Sequence, residues 1–221
     1  MNLLKNAISS FESFNSEKQL ICEQVWHEIS DDVQRNKLTQ NNIFDVNLRE
    51  EIILQLRRRP SLLVHIADFA KKSGLEINTF VEVGTAQGLQ SIMFAKTFPD
   101  SSVFTCDIKD DRDKTFSENL NINFVLGNSK KLCAALSENK KIDFCWIDGA
   151  HDHYDVINDF ISLFSKSNRD TIWAFDDYDK RFGCFHDINL LMSHFEEHVV
   201  VDLGLTASGN PNRIAIMRGF I

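Results

Sequence analysis

One short segment, residues 79–90 with the sequence TFVEVGTAQGLQ, limits the possible folds of this chain more than any other feature. Residues 80–83 are mostly apolar and typical of a buried β-strand, and the residues from 89 to 97 have a helical pattern. Between them, Gly84 allows a turn that a Cβ atom would obstruct, and Gly88 lets a ligand or the helix approach the strand closely. A strand, a tight glycine loop and a helix N-terminus form the usual cradle for a nucleotide-like cofactor. We therefore predict a cofactor site at this loop.

Glu82 lies inside the apolar run, where a carboxylate is costly unless it is paired or hydrogen-bonded. The spacing acid-x-Gly-x-x-x-Gly differs from the Gly-x-Gly-x-x-Gly of dinucleotide binders. It resembles motif I of the class I S-adenosylmethionine (SAM)-dependent methyltransferases. That resemblance implies a cofactor site at Glu82, Gly84, Thr85 and Gly88. The alternatives are a structural corner in another α/β fold and an NAD-linked oxidoreductase, which the glycine spacing disfavours.

From residue 77 onward, short apolar runs alternate with polar or helical stretches. Such near-continuous apolar runs are typical of parallel strands that are covered on both faces. Two last strand candidates, 198–203 and 213–217, are joined by a turn-rich segment and indicate a hairpin. We predict an α/β fold: a doubly wound, Rossmann-like sheet of seven mostly parallel strands with an antiparallel C-terminal hairpin. The five preceding strand candidates are 79–83, 102–107, 122–126, 142–147 and 171–175.

Residues 1–76 have helical patterns, and we predict that they form an N-terminal helical cap on a SAM-binding core of residues 77–221. Within the cap we expect a helix at 48–59 and a further helix that Pro60 opens. Arg59 and the two arginines before it would then lie in a last helical turn, where cations interact favourably with the helix dipole. The cap helices are also candidates for a homodimer interface.

The charge and composition argue against several classes of partner. A net charge of −8 disfavours a non-specific nucleic-acid binder, which normally presents a basic face. No apolar run reaches the roughly 20 residues that cross a bilayer, so we expect no membrane partner. The first residues lack the features of a secretory signal, and the five scattered cysteines include no Cys-x-x-Cys pair. We therefore expect a cytoplasmic protein.

Ligands of open α/β sheets bind at the carboxyl ends of the strands. Asp107 ends the second strand candidate, at the distance from the glycine loop where an acid accepts hydrogen bonds from ribose hydroxyls. Asn128 and Ser129 follow the third, and the methyltransferase resemblance implies that they contact adenine.

Three carboxylates follow the fourth and fifth strand candidates, which are neighbours in this topology. They are Asp148, Asp176 and Asp177. Three carboxylates that converge require a cation or raised pKa values. Oxygen ligands favour Mg²⁺, so we predict a magnesium site. The alternative is that each aspartate caps a helix or a turn.

The segments 147–151 (IDGAH) and 175–178 (FDDY) resemble the metal-dependent small-molecule O-methyltransferases, which include catechol-type and macrolide-sugar enzymes. The resemblance implies that Asp148 and the acidic pair bind Mg²⁺, that Asp148 also borders the cofactor, and that His151 is the general base. A histidine that only bonds a neighbouring carboxylate is the alternative for His151. The chain departs from the family pattern at His153, where relatives often have an aromatic residue.

Together these features predict a SAM-dependent, Mg²⁺-dependent O-methyltransferase that acts on a hydroxyl of a small molecule such as a diol, a catechol or a sugar. Two other functions stay open. One is a metal-independent SAM methyltransferase acting on another nucleophile, and the other is a catalytically silent binding protein with the SAM fold.

Overall fold

The strands of the computed structural model follow the predicted apolar runs closely. It describes residues 2–11, 18–27, 46–112, 121–205 and 211–221, with 46–57 described by their backbone only. The strands are β1 (Thr79–Val83), β2 (Ser102–Asp107), β3 (Ile122–Leu126), β4 (Phe144–Ile147), β5 (Ile172–Phe175), β6 (Phe195–Leu205) and β7 (Pro211–Phe220).

The helices in the described part of the chain lie before the sheet and between its strands. They are α1 (Leu3–Phe11), α2 (18–27), α3 (Val46–Lys72), α4 (Leu89–Thr97), α5 (Ser129–Ala135), α6 (Asp155–Phe164) and α7 (Cys184–Met192). None of the helices in these ranges is both long and apolar enough to cross a bilayer.

The sheet has seven strands in the order β3-β2-β1-β4-β5-β7-β6. Strands β1 to β5 pair in parallel, whereas β7 is antiparallel to both β5 and β6. The predicted Rossmann-like fold with its C-terminal hairpin is therefore confirmed, although residues 206–210 of the hairpin connection lie outside the described residues. The strand order reverses at β1 and β4, which is where such sheets bind their ligands.

Both faces of the sheet are covered, which explains why its central strands are apolar throughout. All residues of β4 and β5 are buried. On one face, α1 to α4 pack against alternate strand residues such as Phe80, whose ring stacks 4.1 Å from that of Phe94. On the other face, α5 to α7 pack, and α6 presents Val156, Phe160 and Leu163 at helical spacing.

Helix α3 corrects one prediction. It runs without interruption through Pro60, so the expected break between two helices is wrong. Proline removes one backbone hydrogen bond, but its fixed φ is helical, and Pro60 is buried against the rest of the protein. Arg59 consequently lies in the middle of a helix of 27 residues, and its interpretation as a residue of the last helical turn is also wrong.

Candidate functional site

The glycine loop joins the ends of β1 and β4 at very close range. Gly84 has a φ of +92°, and a Cβ atom there would lie 2.0 Å from the backbone oxygen of Asp148. The N–H of Asp148 donates to the carbonyl of Val83 (2.8 Å), and the N–H of Gly84 donates to that of Cys106 (2.9 Å). Gly88, with a φ of +89°, precedes α4. Both glycines have a left-handed backbone, and at Gly84 the predicted obstruction by a Cβ atom is confirmed.

Glu82 is buried in β1 with only 3% of its surface exposed, and two hydroxyl groups satisfy it. Ser91 donates to its Oε2, and Thr105 donates to the same atom at 2.9 Å. Burial raises the pKa of Glu82 to about 7, although both hydroxyl groups and the charge of Arg59 oppose this shift. Thr85, predicted as a cofactor residue, is buried with its Oγ1 2.5 Å from that of Thr105.

The predicted ribose and adenine residues line one cleft of about 590 Å³ beside the glycine loop. Asp107 accepts hydrogen bonds from the N–H of Ala86 (2.9 Å) and of Lys109 (3.1 Å), so its carboxylate also holds the loop. Asn128 caps α5 by accepting from the N–H of Lys131 at 3.2 Å. Ser129 is buried and lines the same cleft.

The far wall of the cleft is formed by α6, which sequence reasoning missed. Asp159 lines this wall. Burial raises the pKa of Asp159, and the hydroxyl group of Ser129 opposes that shift. Asp159 lies one helical turn after the start of α6. Its place in the cleft could have been predicted from the sequence only if the start of this helix had been known.

The acidic cluster at the ends of β4 and β5 contains an arginine that the sequence did not lead us to expect. Arg59 of α3 bonds Asp176 through Nη1, and its Nη2 lies 3.3 Å from Oδ2 of Asp148. Its guanidinium carbon lies 5.4 Å from the centre of the Trp146 ring. Burial and the charge of Asp176 raise the pKa of Asp148, while Arg59 opposes the shift. The converging carboxylates thus have an internal cation, and the pKa of one of them, Asp148, is raised.

Asp177 faces another partner because its backbone is left-handed, with a φ of +52°. Its Oδ2 lies 2.7 Å from Nδ1 of His151. One ligand atom each of Asp148, His151 and Asp177 lies within 4.8 Å of the others, a grouping that fits a metal ion. Oδ1 of Asp176 is buried and lacks a hydrogen-bond partner among the described residues. The three predicted aspartates therefore meet at one place, with Asp176 turned toward Arg59 and Asp177 toward His151.

The loop that carries His151 is attached to α7 by a second carboxylate that sequence reasoning missed. Asp187, only 2% exposed, accepts from the N–H of Tyr154 (2.6 Å), and its Oδ1 lies 2.9 Å from Nδ1 of His153. The N–H of Cys184 donates to the carbonyl of His151 at 3.1 Å. His153 thus helps to hold the loop that carries His151 against α7. An acid in the first turn of a helix is too common a feature to have revealed this role.

Comparisons with known proteins indicate a methyltransferase domain and a similar fold. A family model for a methyltransferase domain matches residues 81–178. An O-methyltransferase from Bacillus cereus, solved with S-adenosylhomocysteine (SAH), is 16% identical, with a TM-score of 0.56 over 84% of this chain and 96% of its own. TomG from Streptomyces achromogenes, an O-methyltransferase of tomaymycin synthesis solved with SAM, is 13% identical, with a TM-score of 0.55 over 80% and 91%.

MycE, a methyltransferase of mycinamycin biosynthesis solved with Mg and SAH, is 14% identical, with a TM-score of 0.52. The alignment covers 71% of this chain and 48% of MycE. Among curated proteins, none is significantly similar in sequence. At these identities the likeness to the solved structures shows the fold alone.

Proposed function

We propose that this chain is a class I SAM-dependent methyltransferase that methylates a hydroxyl group of a small molecule with the help of a divalent cation. The matched methyltransferase domain and the fold support this proposal. The observation that carries the proposal is the cluster of Asp148, His151 and Asp177 beside the cofactor cleft. A diol, catechol or sugar is the proposed acceptor, because two neighbouring oxygens suit a cation held by carboxylates.

The residues of the cleft fit SAM. SAM supplies the methyl group, on a sulfonium that is a good leaving group. Gly84 lines the cleft, and Asp107 presents a carboxylate to a ribose although it also holds the loop. Ser129 and Asn128 lie along the same cleft, toward the proposed adenine end. The complexes of the relatives with SAM or SAH support this choice of cofactor.

The acidic cluster fits Mg²⁺ in donor type. Asp148, Asp176 and Asp177 would hold the cation, which when bound lowers the pKa of a coordinated hydroxyl. The buried Oδ1 of Asp176, without a hydrogen-bond partner in the described ranges, supports this role. The relative MycE, solved with Mg, adds an analogy at the level of the fold.

His151 is the proposed general base. Asp177 fixes its Nδ1 as the hydrogen-bond donor, which leaves Nε2 as the basic nitrogen of the ring. The backbone bond from Cys184 and the nearby ring of Phe182, with centroids 5.5 Å apart, hold the imidazole at the mouth of the site. A histidine placed in this way acts as a general base toward a bound hydroxyl.

A metal-independent SAM methyltransferase is the second candidate, and one observation favours it. Arg59 already neutralises part of the charge of Asp148 and Asp176. In that case the carboxylates would position Arg59 and the acceptor, and the reaction would survive removal of divalent cations.

Methyl transfer to a panel of catechols, vicinal diols and sugars, with Mg²⁺ or with EDTA, tests the proposal. We expect Asp177→Asn to lose Mn²⁺ binding and most turnover, and His151→Ala to lose turnover while retaining SAH affinity. Asp152→Asn is the matched control, because Asp152 is an exposed acid on the same loop. Full activity of Asp177→Asn in EDTA would eliminate the cation and favour the second candidate.

A further inference from the structure

Arg59 lies at the inner end of the cofactor region, in a small cavity of about 70 Å³. The glycine loop, Glu82 and Trp146 form its walls together with Arg59. This cavity shares Gly84 and Asp148 with the larger cleft that contains the proposed ribose and adenine residues. The two cavities therefore adjoin at Gly84 and Asp148, with the small cavity beside α3 as the inner end of the site and the cleft beside α6 as its outer end.

The inner end presents opposite charges to a ligand. Glu82, which Ser91 and Thr105 hold in place, provides a carboxylate above its pKa of about 7, and Arg59 provides a guanidinium. The two groups are close enough for their charges to interact. An anion and a cation at one end of a site are complementary to a zwitterion, in which an ammonium and a carboxylate are attached to the same carbon.

Arg59 is placed before any ligand arrives. Asp176 accepts a hydrogen bond from its Nη1, Oδ2 of Asp148 lies 3.3 Å from its Nη2, and the Trp146 ring lies beside its guanidinium carbon. A guanidinium has five N–H groups, and these two ion pairs need only two of them. The arrangement therefore fixes the cation and retains donors for a carboxylate, a ligand that arginine binds with favourable geometry.

We infer that Arg59 binds the α-carboxylate of the cofactor's amino-acid end, opposite Glu82, and so makes the site selective for a zwitterionic amino-acid tail. The inference rests on the proposed use of SAM. Arg59 would thereby recognise the amino-acid end of SAM, whereas the fold by itself accounts only for the cleft that would hold the nucleoside end.

Calorimetric binding of SAM and of decarboxylated SAM, which keeps the ammonium and lacks the carboxylate, tests this role. The wild type should bind SAM at least about tenfold more tightly than decarboxylated SAM, since a charge-assisted hydrogen-bonded pair contributes ~1.5–3 kcal/mol. In Arg59→Met the preference should fall to near unity, and Arg59→Lys should retain part of it. Arg58→Met is the matched control, because Arg58 is not among the described residues that line the cavity.

The ratio of the two affinities is measured within each variant, so a change in stability alone does not alter it. If Arg59→Met does not fold, the reduced ratio in Arg59→Lys carries the test. An unchanged preference in a folded Arg59 variant overturns the inference and leaves the proposed function intact. Failure of the wild type to bind either ligand overturns both.

Discussion

Substitution of Gly84 by alanine should disrupt the junction between β1 and β4. The new Cβ atom would lie 2.0 Å from the backbone oxygen of Asp148, 2.6 Å from its carbonyl carbon and 3.0 Å from the N–H nitrogen of Gly149. All three are backbone atoms, so no side-chain rotation relieves the contact. The strands must separate locally, and the first group to move is the aspartate at the centre of the proposed site.

The structure supplies a control that separates this clash from backbone strain. Gly74 has nearly the same φ, +94° against +92°, but a Cβ atom there would meet nothing within 4 Å. A left-handed alanine costs ~1–2 kcal/mol. Alanine also restricts the unfolded chain more than glycine does, which offsets about 0.4–1 kcal/mol of this cost. Gly74→Ala should therefore lose ~1 kcal/mol, and overpacking should add ~1–3 kcal/mol for Gly84→Ala.

Urea and thermal unfolding of both variants measure the difference. For a protein of this size 1 kcal/mol lowers Tm by roughly 2–4 °C, so Gly84→Ala should melt about 5–15 °C below the wild type and Gly74→Ala only a few degrees below it. SAH affinity should fall in Gly84→Ala alone. Equal stability losses in the two variants would refute the argument from close approach.

Three further predictions concern the charged groups of the site. Because the folded pKa of Glu82 is about 7 against an ordinary 4.5, the folded protein retains a proton that the unfolded chain releases. The contribution of Glu82 to the free energy of unfolding therefore falls as pH rises from 4.5 through about 7. Between pH 5 and pH 8, urea unfolding should show a smaller loss of stability for Glu82→Gln than for the wild type. Asp187→Asn should lower kcat while SAH affinity is retained, since Asp187 holds the His151 loop outside the cleft; an equal loss of SAH affinity would contradict this. Arg59→Met should bind Mn²⁺ more tightly by electron paramagnetic resonance, because a competing cation is removed from Asp148 and Asp176; weaker binding would oppose the proposed cation site.

The sequence predicts the sheet because its signals are local. Apolar runs of four to six residues mark strands β1 to β5, and Gly84 and Gly88 mark the turn between β1 and α4. The strand ends follow from these, so Asp107, Asp148 and Ser129 could be assigned to one edge of the sheet. The topology then brings them together without further information.

The partners of these residues could not be predicted, since they depend on contacts between distant parts of the chain. Arg59 meets Asp176 across 117 positions. Local propensity indicated a helix boundary at Pro60, but the helix continues through it and carries Arg59 to the site. The left-handed backbone of Asp177 is another example, because it turns two adjacent carboxylates toward different partners.

Binding of SAH to the wild-type chain, measured by calorimetry beside NAD⁺, tests the central claim most directly. We expect one SAH to bind per chain, with affinity reduced in Gly84→Ala and retained in Gly74→Ala, and we expect no binding of NAD⁺. Absence of SAH binding with and without Mg²⁺, or a preference for NAD⁺, would contradict it.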